Sequence, residues 1–179
     1  MTRAELEHLI RASASIADDD ELIIVGSQAV LGQHPDAPAE LCMSNEADVY
    51  PKHHPDRSDL IDGAIGEGSP FHELFGYYAQ GVGPSTAVLP AGWEARLFPV
   101  FSPATRGATG WCLEVHDIVL SKLVAGREKD LRYARVTVER KLVRVAELLS
   151  RLPSMDLTPE MARVVESRVR VLERPLVTI

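Results

Sequence analysis

Between residues 2 and 17 apolar side chains recur every three or four positions. Leu6, Leu9, Ile10, Ile16 and Ala17 fall on one stripe, interrupted by the small polar Ser13. This spacing predicts a helix from Thr2 to about Ala17, opened by a capping box between Thr2 and Glu5 and broken by Asp18, Asp19 and Asp20. The period then changes. LIIV at 22–25 is a short β-branched run ended by Gly26, too short for a helix core, and predicts a buried strand. Ser27 stands where an N-cap would open a short helix through SQAVLGQ. HPDAPAE at 34–40 reads as a proline-rich loop, and EADVYP as a second strand stopped by Pro51.

Further along, the pattern predicts a helix near 56–65 and a helical turn begun by Ser69-Pro70. YYAQGVG, STAVLP and EARLFPVFS predict three short strands joined as an antiparallel meander. After Trp111 the chain turns helical. EVHDIVLSKLVAG predicts a helix with Gly126 at the C-cap. REKDLRYARVTVERKLVRVAELLSRL predicts one longer helix with Leu131, Ala134, Val138, Leu142, Val145, Leu148 and Leu149 on one face, and a last helix runs from Thr158-Pro159 to about Glu173. The expected fold class is α/β of the mixed α+β kind: a small mixed sheet flanked by helices, with a C-terminal helical bundle, rather than a doubly wound sheet. The expected division is an α/β core over 1–110 and a helical part over 111–179, packed together as one unit.

Composition narrows the setting. With 179 residues, 45% hydrophobic and 25% charged, the chain has ordinary globular make-up. A net charge of −7 argues against a global nucleic-acid footprint, though not against a local basic patch. Cys42 and Cys112 match no metal-ligand spacing and read as reduced thiols of a cytoplasmic protein. No apolar run approaches the roughly 18 residues of a membrane span.

Three segments carry candidate chemistry. The strand-to-helix turn at Gly26-Ser27 presents backbone N–H groups, and a serine hydroxyl, to an anion such as a phosphate. Glu46 and Asp48, two apart on a strand, point to the same face. Held close they repel, and Mg²⁺ suits one or two carboxylates together with phosphate oxygens. Taken alone, E-x-D reads better as an edge strand with its polar face in water. In SKLVAGREKDLRYA, Lys122, Arg127, Lys129 and Asp130 crowd a glycine helix junction. The cations suit triphosphate charge and Asp130 suits proton acceptance, or the group is a solvated helix start with Arg127 paired to Asp130.

Other candidates are weaker. His53-His54, and His72 with Glu73, suggest zinc, but adjacent loop histidines do not easily face one ion. His116 and Asp117 are helix neighbours about 100° apart, so Asp117 reads as a helix-dipole acid beside Glu114. Glu94 is the candidate for a third strand carboxylate. Trp93 and Trp111 read as packing residues, with base stacking as the alternative.

Taken together, IIVGSQAV, EADVYP and HDIVLSKLVAGREKDL resemble the nucleotidyltransferase superfamily, in particular the small branch of abortive-infection AbiEii-type toxins and DUF6036 proteins. The resemblance covers about residues 20–135. It implies phosphate contacts from Gly26 and Ser27, Mg²⁺ at Glu46 and Asp48, and a triphosphate contact from Lys122, with Arg127 and Lys129 beside it. Asp130 would act as, or assist, the catalytic base. The implied reaction moves an NMP group from an NTP to a hydroxyl acceptor, RNA (tRNA by analogy) or protein. The implied biology is the toxin of a toxin–antitoxin or phage-defence pair with a cognate antitoxin. For RNA, the patch would be Lys122, Arg127, Lys129, Arg132 and Arg135. Because position 46 is Glu rather than Asp, one methylene longer, the alternative is a catalytically inactive nucleotide- or partner-binding module. A third reading is an interaction domain whose charged helix docks a partner.

Overall fold

The capping box sets the first element. Thr2 Oγ1 accepts from the Glu5 N–H at 3.3 Å, and the Glu5 carboxylate accepts from the Thr2 N–H at 2.7 Å. Such a cap stabilises a helix by about 1 kcal/mol. It opens α1 (Arg3–Ala17), whose buried face is Leu6, Leu9, Ile10, Ser13, Ala14 and Ala17. Ser13 lies inside that face, and Ile16 is half-buried at its margin. Asp18, in the left-handed region at φ 50, ends the helix.

The computed structural model describes residues 1–173. They fall into two units, Met1–Ala87 with Glu94–Glu114, and Val88–Trp93 with Val115 onward; residues 174–179 of the expected helical part lie outside the described residues. In the first unit, β1 (Glu21–Val25) leads into a 3-10 turn at Ser27–Ala29 and the four-residue α2 (Val30–Gln33). Then come β2 (Glu46–Pro51), α3 (Ser58–Ile65), α4 (Pro70–Phe75), β3 (Tyr78–Gly81), β4 (Phe98–Val100) and β5 (Thr109–Cys112). The five strands form one mixed sheet in the order β3-β2-β1-β5-β4. β1 runs antiparallel to β2 and parallel to β5; β2 is parallel to β3, and β4 antiparallel to β5. As the central strand β1 buries all of Leu22–Val25, which is why it reads as an unbroken apolar run.

Register and the two-residue strand period sort the side chains onto two faces. Ile24, Val49, Gly81 and Gly110 share one face, and helices close over it. A Cβ on Gly110 would overlap Ile10 of α1, and one on Gly81 would overlap the Ser58 carbonyl of α3. Glu46, Asp48, Tyr78 and Gln80 share the other face.

The second unit holds α5 (Val115–Ala125), α6 (Glu128–Glu139), α7 (Val145–Arg151) and α8 (Pro159–Leu172). Asp117 of α5 is fully buried and accepts from Arg151 Nη1 of α7 at 2.8 Å. Arg168 of α8 donates to the Leu123 carbonyl at 2.5 Å and to that of Val124 at 3.3 Å, closing the C-terminus of α5. Gly126 follows at φ 66, against that guanidinium.

Four expectations are corrected. Among the described residues there is no antiparallel meander: β3 joins β2 in parallel at one edge, while β4 lies at the other. STAVLP is no strand; its first half is a 3-10 turn (Pro84–Thr86), and the fifth strand is TGWC, whose glycine and short length hid it. The helix expected over 127–152 is two, because Lys141 enters the left-handed region at φ 60 while the Leu142 and Val143 N–H groups turn back to the Thr137 carbonyl. Its buried face is Asp130, Tyr133, Ala134 and Thr137, with Leu131 exposed, since the Asp130 carboxylate is drawn inward by cations. Among the described residues no helix is long and apolar enough to cross a membrane.

Candidate functional site

In the first unit the candidate site grows from the end of β1. Val25 pairs with Asp48 across the antiparallel ladder, so the chain turns away at Gly26 directly beside the Asp48 side chain. Gly26 adopts φ 70, a region closed to most L-residues. A Cβ there would overlap Asp48 Oδ2 and stand 3.0 Å from its Cγ. The glycine is therefore required twice, by its own conformation and by the carboxylate lying against its backbone. Ser27 is the first residue of the 3-10 turn; the cap position is Gly26, so the expected serine N-cap is corrected.

Glu46 and Asp48 lie on one face of β2, both half-buried, while Ala47 and Val49 between and beyond them are buried on the other. β2 is an interior strand, so the edge-strand reading of E-x-D does not hold. Each acid faces a polar residue of β3: Glu46 pairs with Tyr78 and Asp48 with Gln80. Tyr78 Oη donates to Glu46 Oε2 at 3.1 Å, and Gln80 Nε2 donates to Asp62 Oδ1 of α3 at 2.7 Å. Burial first, then the Glu46 charge and its hydrogen bond, push the Tyr78 phenol up to about 12. It is a neutral donor across the physiological range.

The donor set fits a hard divalent cation. Two same-face carboxylates, one lodged in the cradle that a Cβ on Gly26 would fill, match a cation that takes one or two carboxylates and completes its shell with phosphate oxygens and water. Among the described residues no three or more His, Cys, Asp and Glu side chains are grouped to hold a metal, so an all-protein cage is not what this sheet offers.

In the second unit Lys122, Arg127 and Asp130 meet. Asp130 is fully buried and accepts from Arg127 Nε at 2.6 Å, Arg127 Nη2 at 3.3 Å and Lys122 Nζ at 3.2 Å. Lys122 Nζ also stands 4.8 Å from the centre of the Tyr133 ring. Burial alone would raise the Asp130 pKa; the Arg127 hydrogen bonds and the Lys122 charge overcome it and hold the carboxyl below its ordinary value. Lys129 is exposed at the start of α6.

A family model for nucleotidyltransferases of unknown function, DUF6036, matches residues 4–164. The chain belongs to the DUF6036 family. No curated protein and no solved structure matches it.

The remaining candidates in this DUF6036 chain have structural partners. His53 and His54 gather around the buried Asp19, which accepts from both backbone N–H groups at 2.8 and 3.1 Å and from His53 Nδ1 at 3.0 Å. His72 accepts from the Gly68 N–H at 3.0 Å, and its ring lies 4.6 Å from that of Tyr78. His116 Nε2 accepts from the Arg144 N–H at 3.0 Å. Glu94 is exposed on a 3-10 turn (Trp93–Arg96), so it is not a strand carboxylate. Lys52 Nζ lies 5.0 Å from the centre of the Trp111 ring. Sequence reasoning missed Tyr78 and Gln80 as partners of the β2 acids. The signal was present as alternation in YAQG, whose polar residues match E-x-D in period, but the parallel pairing that aligns them is not encoded locally.

Proposed function

We propose that this DUF6036 protein transfers an NMP group from an NTP to a hydroxyl acceptor, with Mg²⁺ held by Glu46 and Asp48. The observation that carries this reading is the packing of the Gly26 backbone against Asp48, which seats a carboxylate beside a turn suited to phosphate. The cation supplies charge neutralisation on the reacting phosphate. Gly26 and Ser27 contact the phosphates. Lys122, Arg127 and the exposed Lys129 form a cationic group within the second unit, and the family resemblance alone assigns them to the triphosphate. Asp130, with both oxygens engaged and its pKa lowered, binds a proton weakly and serves by fixing Lys122. The acceptor oxygen bonds to the α-phosphorus as the bond to the α–β bridging oxygen breaks. Pyrophosphate leaves with that electron pair, and the hydroxyl proton is released. The acceptor class is RNA, tRNA in particular, or a protein. A toxin role with a cognate antitoxin rests on family resemblance alone.

The test is to incubate the protein with Mg²⁺ and each α-labelled NTP, with total RNA or with the protein itself as acceptor. Label transfer that disappears in Asp48→Ala supports the reading. Nucleotide binding with no transfer to any acceptor assigns the chain to the inactive binding class instead.

A further inference from the structure

Glu46 is longer than the aspartate two residues on, and a free glutamate side chain has one more rotatable bond to immobilise before it can serve as a ligand. The neighbouring strand addresses this. β3 runs parallel to β2 with Tyr78 opposite Glu46, which places the phenol on the same face as the carboxylate. Tyr78 Oη donates to Glu46 Oε2 at 3.1 Å, leaving Oε1 for a cation. The phenol is itself held. Tyr78 is 9% exposed, and the His72 ring packs on it with centroids 4.6 Å apart. The His72 ring in turn accepts at Nδ1 from the Gly68 N–H at 3.0 Å, and the His72 backbone N–H donates to Ser69 Oγ, the N-cap of α4, at 3.2 Å. A chain of contacts therefore runs from the start of α4 to a single oxygen of Glu46.

We infer that Tyr78 is a positioning residue for this site, fixing the glutamate so that the longer side chain offers one oxygen to the metal where a bare glutamate would wander. The inference rests on the reading of Glu46 and Asp48 as the cation site. Hydrogen-bond donors that hold the far oxygen of a metal ligand orient it, and their loss typically weakens metal binding by about 10- to 100-fold. The geometry also predicts an unequal dependence on the phenol. A carboxylate one methylene shorter falls back from Tyr78 Oη by roughly 1 Å or more, past hydrogen-bond range. The phenol should therefore matter to glutamate at position 46 and not to aspartate.

The experiment is a double-mutant cycle read by direct Mn²⁺ binding, using electron paramagnetic resonance with a saturating non-hydrolysable NTP analogue. Wild type, Tyr78→Phe, Glu46→Asp and the double variant are compared, with a thermal melt of each. The expected result is about 10-fold weaker Mn²⁺ binding in Tyr78→Phe, and less than about twofold further change when the same substitution is made in Glu46→Asp. Mn²⁺ affinity in Tyr78→Phe within twofold of wild type overturns the inference. So does an equal loss in both backgrounds, which would mark a purely structural role. If wild type binds no Mn²⁺ with any nucleotide analogue, the cation-site reading itself falls, a result distinct from a null effect of the phenol.

Discussion

Asp48 stands half-buried on a strand beside a second carboxylate, whereas Asp130 is fully buried on a helix between an arginine and a lysine. The two aspartates show opposite solutions to one electrostatic problem. Asp130 is compensated from within: its own unit supplies the cations, and its charge stabilises the fold. Asp48 has the Glu46 charge on its own face and the Gly26 backbone against it, the arrangement that the proposed cation would complete. A carboxylate neutralised by buried cations reports on stability, and one set beside a like charge is a candidate for function.

Removing the internally paired charge should have the largest effect on the fold. Asp130→Asn keeps the side-chain shape but leaves Lys122, only 15% exposed at its side chain, without its anion. Charge-assisted hydrogen bonds of this kind contribute about 1.5–3 kcal/mol when half-buried, and Arg127, 62% exposed, contributes at the lower end. A loss of about 2 kcal/mol corresponds to a fall in melting temperature of roughly 4–8 °C for a chain of this size. The pH dependence fixes the sign. Asp130 has a folded pKa below its unfolded one, so the folded state binds fewer protons. Its contribution is complete above about pH 4 and is lost on acidification through the lower folded value. The gap between wild type and Asp130→Asn should therefore be widest near neutrality and close in acid, as thermal melts across pH will show.

Gly26→Ala comes next, because it strikes the other aspartate through the backbone. The new Cβ must share space with Asp48 Oδ2, in a backbone conformation (φ 70, ψ −163) that costs an L-residue on the order of 1–3 kcal/mol. The expected outcome is a stability loss of that size by urea titration, with Mn²⁺ affinity reduced at least about 10-fold as Asp48 is pushed aside. Unchanged Mn²⁺ binding would separate the glycine from the carboxylate.

The same contrast explains how much could be read from the sequence. The α1 stripe, the LIIV strand, the bounds of EADVYP and the Ser69 and Thr158 caps were legible, because each rests on a local period or a single hydrogen-bonding side chain. The family and the mixed sheet with helices were legible as well. Strand order was not, since the parallel pairing of β2 with β3 depends on long-range contacts that no short pattern records. The break at Lys141 escaped for the opposite reason: the apolar period runs on through it, and only the left-handed backbone at one residue divides the helix. At the site, the acids and the glycine were legible as residue types. Their partners Tyr78, Gln80 and Asp62 were not, because those come from other elements.

The smallest effect on the fold, and the one that sharpens the comparison most, belongs to Asp48→Asn. Removing one of two like charges on a face relieves repulsion and so offsets the contacts that the carboxylate gives up, and metal-free stability should change by less than about 0.5 kcal/mol. That contrasts with Asp130→Asn, for the same substitution of the same residue. The difference should then appear when Mn²⁺ and an NTP analogue are added. Ligand that binds only the folded state raises the melting temperature in proportion to the logarithm of its concentration over its dissociation constant, so wild type should shift upward and Asp48→Asn should not. A metal-free Asp48→Asn destabilised as much as Asp130→Asn would mean that Asp48 is compensated by its own fold, and the distinction between the two aspartates would collapse.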